Sequence, residues 1–274
     1  MNAKSSLAAL MAPCLLATAA CLILLSACPG MAAEPAASAP KPVVNFREPQ
    51  RTYQTVPLGQ WTVMVEQQLP AEDPELAKRA LARLESKLGV MLAALPSPAR
   101  PRLQKLPIFL MYGPKAKGGG HDNGAEYFQR NAPEHHKHLD LRWKSCVVIY
   151  SAENYVHLSE LWSVKLLAHE FAHAHHMEQW PEKQPDILQA WNHAIECGLY
   201  RKVKNEEGKV LDTGYATKNQ LEYFAELSCM YFVGCNYPPV NREELKTYDS
   251  VGYDMIEKIW GVRESAPPPG EGKK

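Results

Sequence analysis

The chain has 274 residues, with 30 basic and 30 acidic side chains and formal net charge zero. Apolar residues make up 46% and charged residues 22%, a balance that excludes a disordered chain and gives no support for nucleic-acid binding. The length allows one well-buried domain, and no internal repeat is visible.

In chain order, residues 1–33 read as a signal segment: Lys4 precedes an apolar run from Leu7 to Cys28 that ends in small residues. Pro13 interrupts the run and no stop-transfer charges follow it, so an exported protein is expected rather than one with a retained spanning helix. Leu25-Ser26-Ala27-Cys28 also has the form of a lipobox. On that reading the signal ends at residue 27 and a lipid on Cys28 anchors the protein at the cell envelope; a cut near Ala33 instead releases it in soluble form. Residues 34–50 are rich in Ala and Pro and read as a tether, residues 51–262 as one domain, and residues 263–274 as a loose tail.

Within the domain, Trp61–Glu66, Ile108–Tyr112 and Cys146–Tyr150 are short β-branched or aromatic runs expected as strands. Leu76, Leu81, Leu84, Leu88, Met91 and Leu95 recur at helical spacing, so Pro74–Leu95 is expected to pack one face on the sheet. Lys115–Gly124, with three successive glycines, reads as a flexible loop. Helices follow over 160–180, capped by Ser159 and stopped by Pro181, then over 185–200, 219–232 and 254–260. The fold class expected is α+β: a small mixed sheet followed by a mainly helical C-terminal half. Four cysteines remain outside the signal segment, Cys146, Cys197, Cys229 and Cys235; export permits disulfides, and buried thiols are the alternative.

The most informative stretch is His169-Glu170-Phe171-Ala172-His173-Ala174-His175-His176, four of the ten histidines in the chain. Positions four apart share a helix face, so His169 and His173 can hold one ion through ring nitrogens about 2.0–2.1 Å from zinc. Glu170 is one position round from the first ligand, where it can take a proton from water at an open coordination position. The apolar residues Val164, Leu167, Ala168, Phe171 and Ala172 supply the buried face that such a helix requires. His176 lies on nearly the same side but about 10 Å along the axis from His169, too far to share the ion. It is expected beside the site or in solvent, and His175 in solvent.

The third ligand is the open question. A metzincin needs glycine at position 176 and histidine at 179, where this chain has His176 and Gln179. His193 and Glu196 stand near a thermolysin-like spacing but fit it poorly. Glu222 and Glu226, one turn apart beside an apolar face, are better placed, with Glu222 favoured as the ligand. The alternatives are that they pair with lysines, or that Asn219 and Glu222 cap the helix.

The HEFAH segment, followed by Tyr215-Ala216 and then Asn219-x-x-Glu222-Tyr223-Phe224-Ala225-Glu226, resembles the gluzincin zinc metallopeptidases of the anthrax lethal factor type. The likeness covers roughly residues 146–232. It implies a zincin-like fold, one zinc ion held by His169, His173 and Glu222, catalysis by Glu170 with Tyr215 stabilising the oxyanion, and Glu226 orienting a ligand histidine. It also implies a protein or peptide substrate lying along Cys146–Tyr150 as a sheet edge. A helix of this kind is similar too to that of membrane-embedded HExxH peptidases, but the chain lacks their multiple spans.

The expected function is therefore that of an exported zinc-dependent metallohydrolase, an endopeptidase. A non-catalytic zinc-binding adhesion module with a retained peptidase fold, and a structural zinc domain, are the alternatives. His135, His136 and His138 read as a solvated loop rather than a second metal site. Tyr150, Tyr155, Trp162 and Trp180 read as core in preference to the lining of a specificity pocket.

Overall fold

The computed structural model describes residues 43–122 and 124–262, and it has the α+β architecture expected. Strands β1 (Tyr53–Leu58) and β2 (Trp61–Glu66) form an antiparallel hairpin. Short helix α1 (Gln68–Glu72) leads into α2 (Pro74–Ala94), whose first turn is capped by the Asp73 carboxylate accepting from the Leu76 backbone N–H. Leu76, Leu84, Leu88 and Met91 of α2 are buried at the spacing that identifies the helix.

After α3 (Arg100–Leu103) come β3 (Ile108–Leu110), β4 (Ala125–Phe128), α4 (Ala132–His135) and β5 (Cys146–Ile149). The sheet order is β1-β2-β3-β5-β4, with β2, β3 and β5 parallel and the outer strands antiparallel to their neighbours. Val63, Val65, Ile108, Leu110, Val147 and Ile149 belong to the main core with α2, whereas Phe109, Val148 and Tyr150 join a smaller cluster closed by Phe46 and Trp143. This order corrects the expectation for Cys146–Tyr150. Its strand lies between β3 and β4, and the two edges of the sheet belong to β1 and β4.

Two expectations about irregular segments also change. Phe46 is buried against Trp143, and Arg47 donates to the carbonyls of Pro133 and Leu139, so packed structure begins ahead of Arg51, within the stretch read as tether. The glycine-rich loop is pinned as well: Arg51, paired with Glu66 at 2.5 Å, donates to the carbonyls of Gly118 and Gly119. Glycine is required at position 120, where an added Cβ would come 2.3 Å from the Gly113 carbonyl oxygen.

The second half comprises α5 (Ala152–His157), α6 (Glu160–Met177), α7 (Pro185–Glu196), the hairpin β6 (Arg201–Lys204) and β7 (Val210–Thr213), a 3-10 turn (Tyr215–Thr217), α8 (Gln220–Phe232), α9 (Arg242–Tyr248) and α10 (Ser250–Trp260). Ser159 caps α6 as expected, and α7 stops short of its expected end at Gly198, whose φ of +69° leaves the helical region. Asp249 is buried and accepts from the hydroxyls of Tyr200 and Tyr223, tying α8 to the start of α10. Cys146, Cys197, Cys229 and Cys235 are free thiols, and all but Cys197 are buried. No helix among the described residues is long and apolar enough to cross a membrane. The signal segment, most of the tether and the tail lie outside the described residues.

Candidate metal centre

Helix α6 packs between edge strand β4 and helix α8, and residues four apart on it share the face that meets each neighbour. His169 and His173 face the first turn of α8. That turn is fixed by Asn219, whose side-chain oxygen accepts from the backbone N–H groups of Leu221 and Glu222 at 2.9 Å. Asn219 thus caps the helix while the Glu222 side chain remains available.

Glu222 Oε2 lies 3.0 Å from His169 Nε2 and 3.3 Å from His173 Nε2, and the two ring nitrogens are 3.2 Å apart. The three donors all lie within 4.8 Å of one another, a group that could hold a metal ion and the one such group among the described residues. Their side chains are 12–16% exposed, so the cluster is shielded but reachable. Two imidazoles and one carboxylate converging in this way fit a divalent ion that takes nitrogen and oxygen donors and leaves a coordination position free.

Outer partners set the orientation of the donors. His169 Nδ1 is 3.0 Å from Glu226 Oε1, and the other Glu226 oxygen accepts from Lys165 Nζ at 2.9 Å. Lys165 also donates to Asn236 Oδ1 at 2.8 Å, which completes a buried chain from lysine to carboxylate to imidazole. Burial opposes charge on Glu226, but Lys165 and His169 outweigh it and hold the carboxyl down at about 2. For Glu222, burial is again opposed, here by His169, His173 and Lys218, which hold it far below the usual carboxylate range. Burial likewise disfavours charge on His169, yet its contacts with Cys229, Glu222 and Glu226 raise its pKa, while burial lowers that of His173.

Glu170, the next residue of α6 after His169, meets strand β4. It is buried, and its Oε2 accepts from the Tyr127 backbone N–H of β4 at 2.8 Å. Burial pushes its carboxyl up to about 7. Tyr215 is exposed, with its hydroxyl 3.1 Å from Glu222 Oε1, and Lys218 Nζ is 2.8 Å from that hydroxyl and 2.9 Å from the same carboxylate oxygen. A cavity of about 630 Å³ opens beside His169 and Tyr215, walled by Trp162, Leu166, Leu211 and Tyr237.

The structure brings together five of the residues singled out in the sequence, His169, His173, Glu222, Glu226 and Tyr215, while Glu170 is bonded to Tyr127 of β4; Lys165 and Lys218 join the five. The lysines stand four residues before His169 and Glu222, a spacing that could have identified them as partners on the same helical face. Of the four aromatics, Tyr150 and Tyr155 are core as expected and Trp180 is half-buried, whereas Trp162 lines the cavity. His175 and His176 correct an expectation: both are buried, because Trp260 and Phe224 cover that side of α6. Exposed His135 bonds to Asn131. Comparison of the chain with family models, with curated proteins and with solved structures finds no match.

Proposed function

We propose that this chain is an exported zinc-dependent metallohydrolase that cleaves peptide bonds internally. The observation that carries the reading is the convergence of His169, His173 and Glu222, with the Tyr215 hydroxyl bonded to Glu222 and Glu170 next to His169 in α6. Bound by those three residues, zinc would supply a Lewis acid that acidifies water and polarises a carbonyl.

The chain's own groups account for the remaining steps. Glu170, held by the Tyr127 N–H and shielded from bulk solvent, serves as the proton carrier: it accepts a proton from the attacking water and delivers it to the departing amine. The Tyr215 hydroxyl sits next to Glu222, on an exposed turn, and donates to the oxygen on which negative charge develops. Glu226 fixes the His169 ring through Nδ1 and leaves Nε2 as the donor. The free edge of β4 runs beside Glu170, and its antiparallel ladder offers a substrate backbone a place to add as a further strand. The apolar N-terminal segment supports export, with or without a lipid on Cys28.

Glu170→Gln is the direct test. Zinc content is expected to stay near one ion per chain while peptide hydrolysis falls by about 100-fold or more, because the amide can accept no proton. A variant that cleaves as fast as the parent chain would remove Glu170 from the reaction. A parent chain that binds zinc and cleaves no peptide would favour the adhesion module.

A further inference from the structure

Glu222 divides its carboxylate oxygens between two sets of partners. Oε2 faces the Nε2 atoms of His169 and His173, whereas Oε1 accepts from the Lys218 ammonium at 2.9 Å and the Tyr215 hydroxyl at 3.1 Å. Lys218 Nζ also donates to the Tyr215 oxygen at 2.8 Å and stands 4.7 Å from the centre of its ring, so one ammonium holds both groups. The backbone enforces this meeting. A 3-10 turn places Tyr215, Lys218 follows in helical conformation, and Asn219 then caps α8, leaving Lys218 and Glu222 one turn apart.

A carboxylate can offer a cation one oxygen or two, and a ligand that offers two crowds the position that water or substrate must use. We propose that Lys218 is a positioning residue that secures Glu222 Oε1, so that Glu222 offers the metal Oε2 alone, and that it holds Tyr215 beside the same site. This inference rests on the metal-centre reading above. Coulomb's law sharpens it, since an ammonium next to the donors repels a dication and so needs a reason other than affinity to be there. An ordinary solvated ion pair differs in kind: here the carboxylate is only 13% exposed, and its partner reaches a second functional side chain.

Repulsion and orientation act on affinity in opposite directions, so coordination number is the better readout. Cobalt(II) is loaded into the full chain and into Lys218→Met and Lys218→Arg, and visible absorption is recorded. The parent chain is expected to show the intense bands of a four-coordinate ion, Lys218→Met the weaker bands of a higher coordination number, and Lys218→Arg the parent spectrum. With zinc, Lys218→Met is expected to lower kcat about tenfold with KM changed by less than about threefold, and arginine to restore most of the loss. Lys218 is half exposed, and unchanged circular dichroism verifies folding of each variant. If the Lys218→Met bands match the parent's, the positioning role is overturned and the metal centre stands. If the parent chain itself gives no cobalt bands, the metal-centre reading fails, and this inference falls with it.

Discussion

The four histidines of α6 form two pairs that share a helix and little else. His169 and His173 meet the carboxylates of α8, with Glu222 between their ring nitrogens and Glu226 behind the first. His175 instead lies flat on Trp260, 3.8 Å between ring centres and 5° between planes, with Nε2 3.2 Å from the Ile259 carbonyl oxygen. His176 reaches the Pro181 carbonyl oxygen and packs edge-on to Phe224. One residue type, two or three positions along the same helix, thus becomes a metal donor or a piece of core according to what the neighbouring helix presents. Burial limits contact with water in both places. Only the first pair receives anionic partners in exchange.

The largest expected effect separates the two pairs outright. His173→Ala removes one of three converging donors and is expected to weaken zinc binding by about 1,000-fold or more, as read by competition with a chromophoric chelator. His175→Gln is expected to leave zinc affinity within a few fold. Equal losses in the two variants would erase the distinction between the pairs, and no loss in either would place the metal elsewhere.

The next effect tests what stands behind His169. Glu226→Gln leaves the Lys165 charge buried without its counter-ion, at a cost of about 3–5 kcal/mol in unfolding free energy. Pairing it with Lys165→Met removes the stranded charge and is expected to recover most of that stability. Zinc affinity in the double variant is nevertheless expected to stay about tenfold low, because His169 Nδ1 no longer faces an anion. Denaturant titrations and zinc competition on the same samples distinguish the two losses. Recovery of both together would mean that Glu226 serves the fold and not the donor.

How far each pair could be read in the sequence follows from how local its determinants are. The donor pair was legible because His169 and His173 repeat at the helical period beside an apolar face, and because Glu222 and Glu226 repeat in the same way beside another. The burial of His175 and His176 was not, since their cover comes from Trp260 of α10 and Phe224 of α8, more than eighty and more than forty residues later in the chain. Strands divide similarly. β2, β3 and β5 carry continuous β-branched or aromatic residues, whereas β4 is four residues after a glycine loop and β6 and β7 are charged and largely exposed. Which strand forms the edge depends on pairings between distant segments, so the central place of β5 could not be read from its own residues. Pairing of Glu222 and Glu226 with lysines was an alternative in the sequence, but the partners, half-exposed Lys218 and buried Lys165, were not legible, since Lys165 reaches Glu226 across two helices distant in the chain.

The smallest effect sharpens the comparison through pH. Burial, only partly offset by the bond to the Ile259 carbonyl, pushes the His175 pKa down from 6.5 to about 4. Its ring is therefore neutral in the folded chain at pH 5 to 6, while the unfolded chain takes up a proton near pH 6.5. Between those two values the unfolded state binds more protons, so stability falls as pH falls; above about 6.5 nothing is lost, and below about 4 both states are protonated and the slope ends. By pH 5 the loss is on the order of 1–2 kcal/mol. His175→Gln forfeits the stack on Trp260 and is expected to be the less stable protein at pH 7.5, but it carries no proton to gain, so its deficit should narrow toward pH 5. Urea unfolding of both chains in the presence of a chelator measures the deficit at each pH, and the titrations of His169 and His173, common to both, cancel in the difference. A deficit that holds constant from pH 7.5 to 5 would show that His175 keeps its ordinary affinity for protons in the fold, and the contrast between an anion-facing pair and an aromatic-facing pair would then rest on geometry without an electrostatic counterpart.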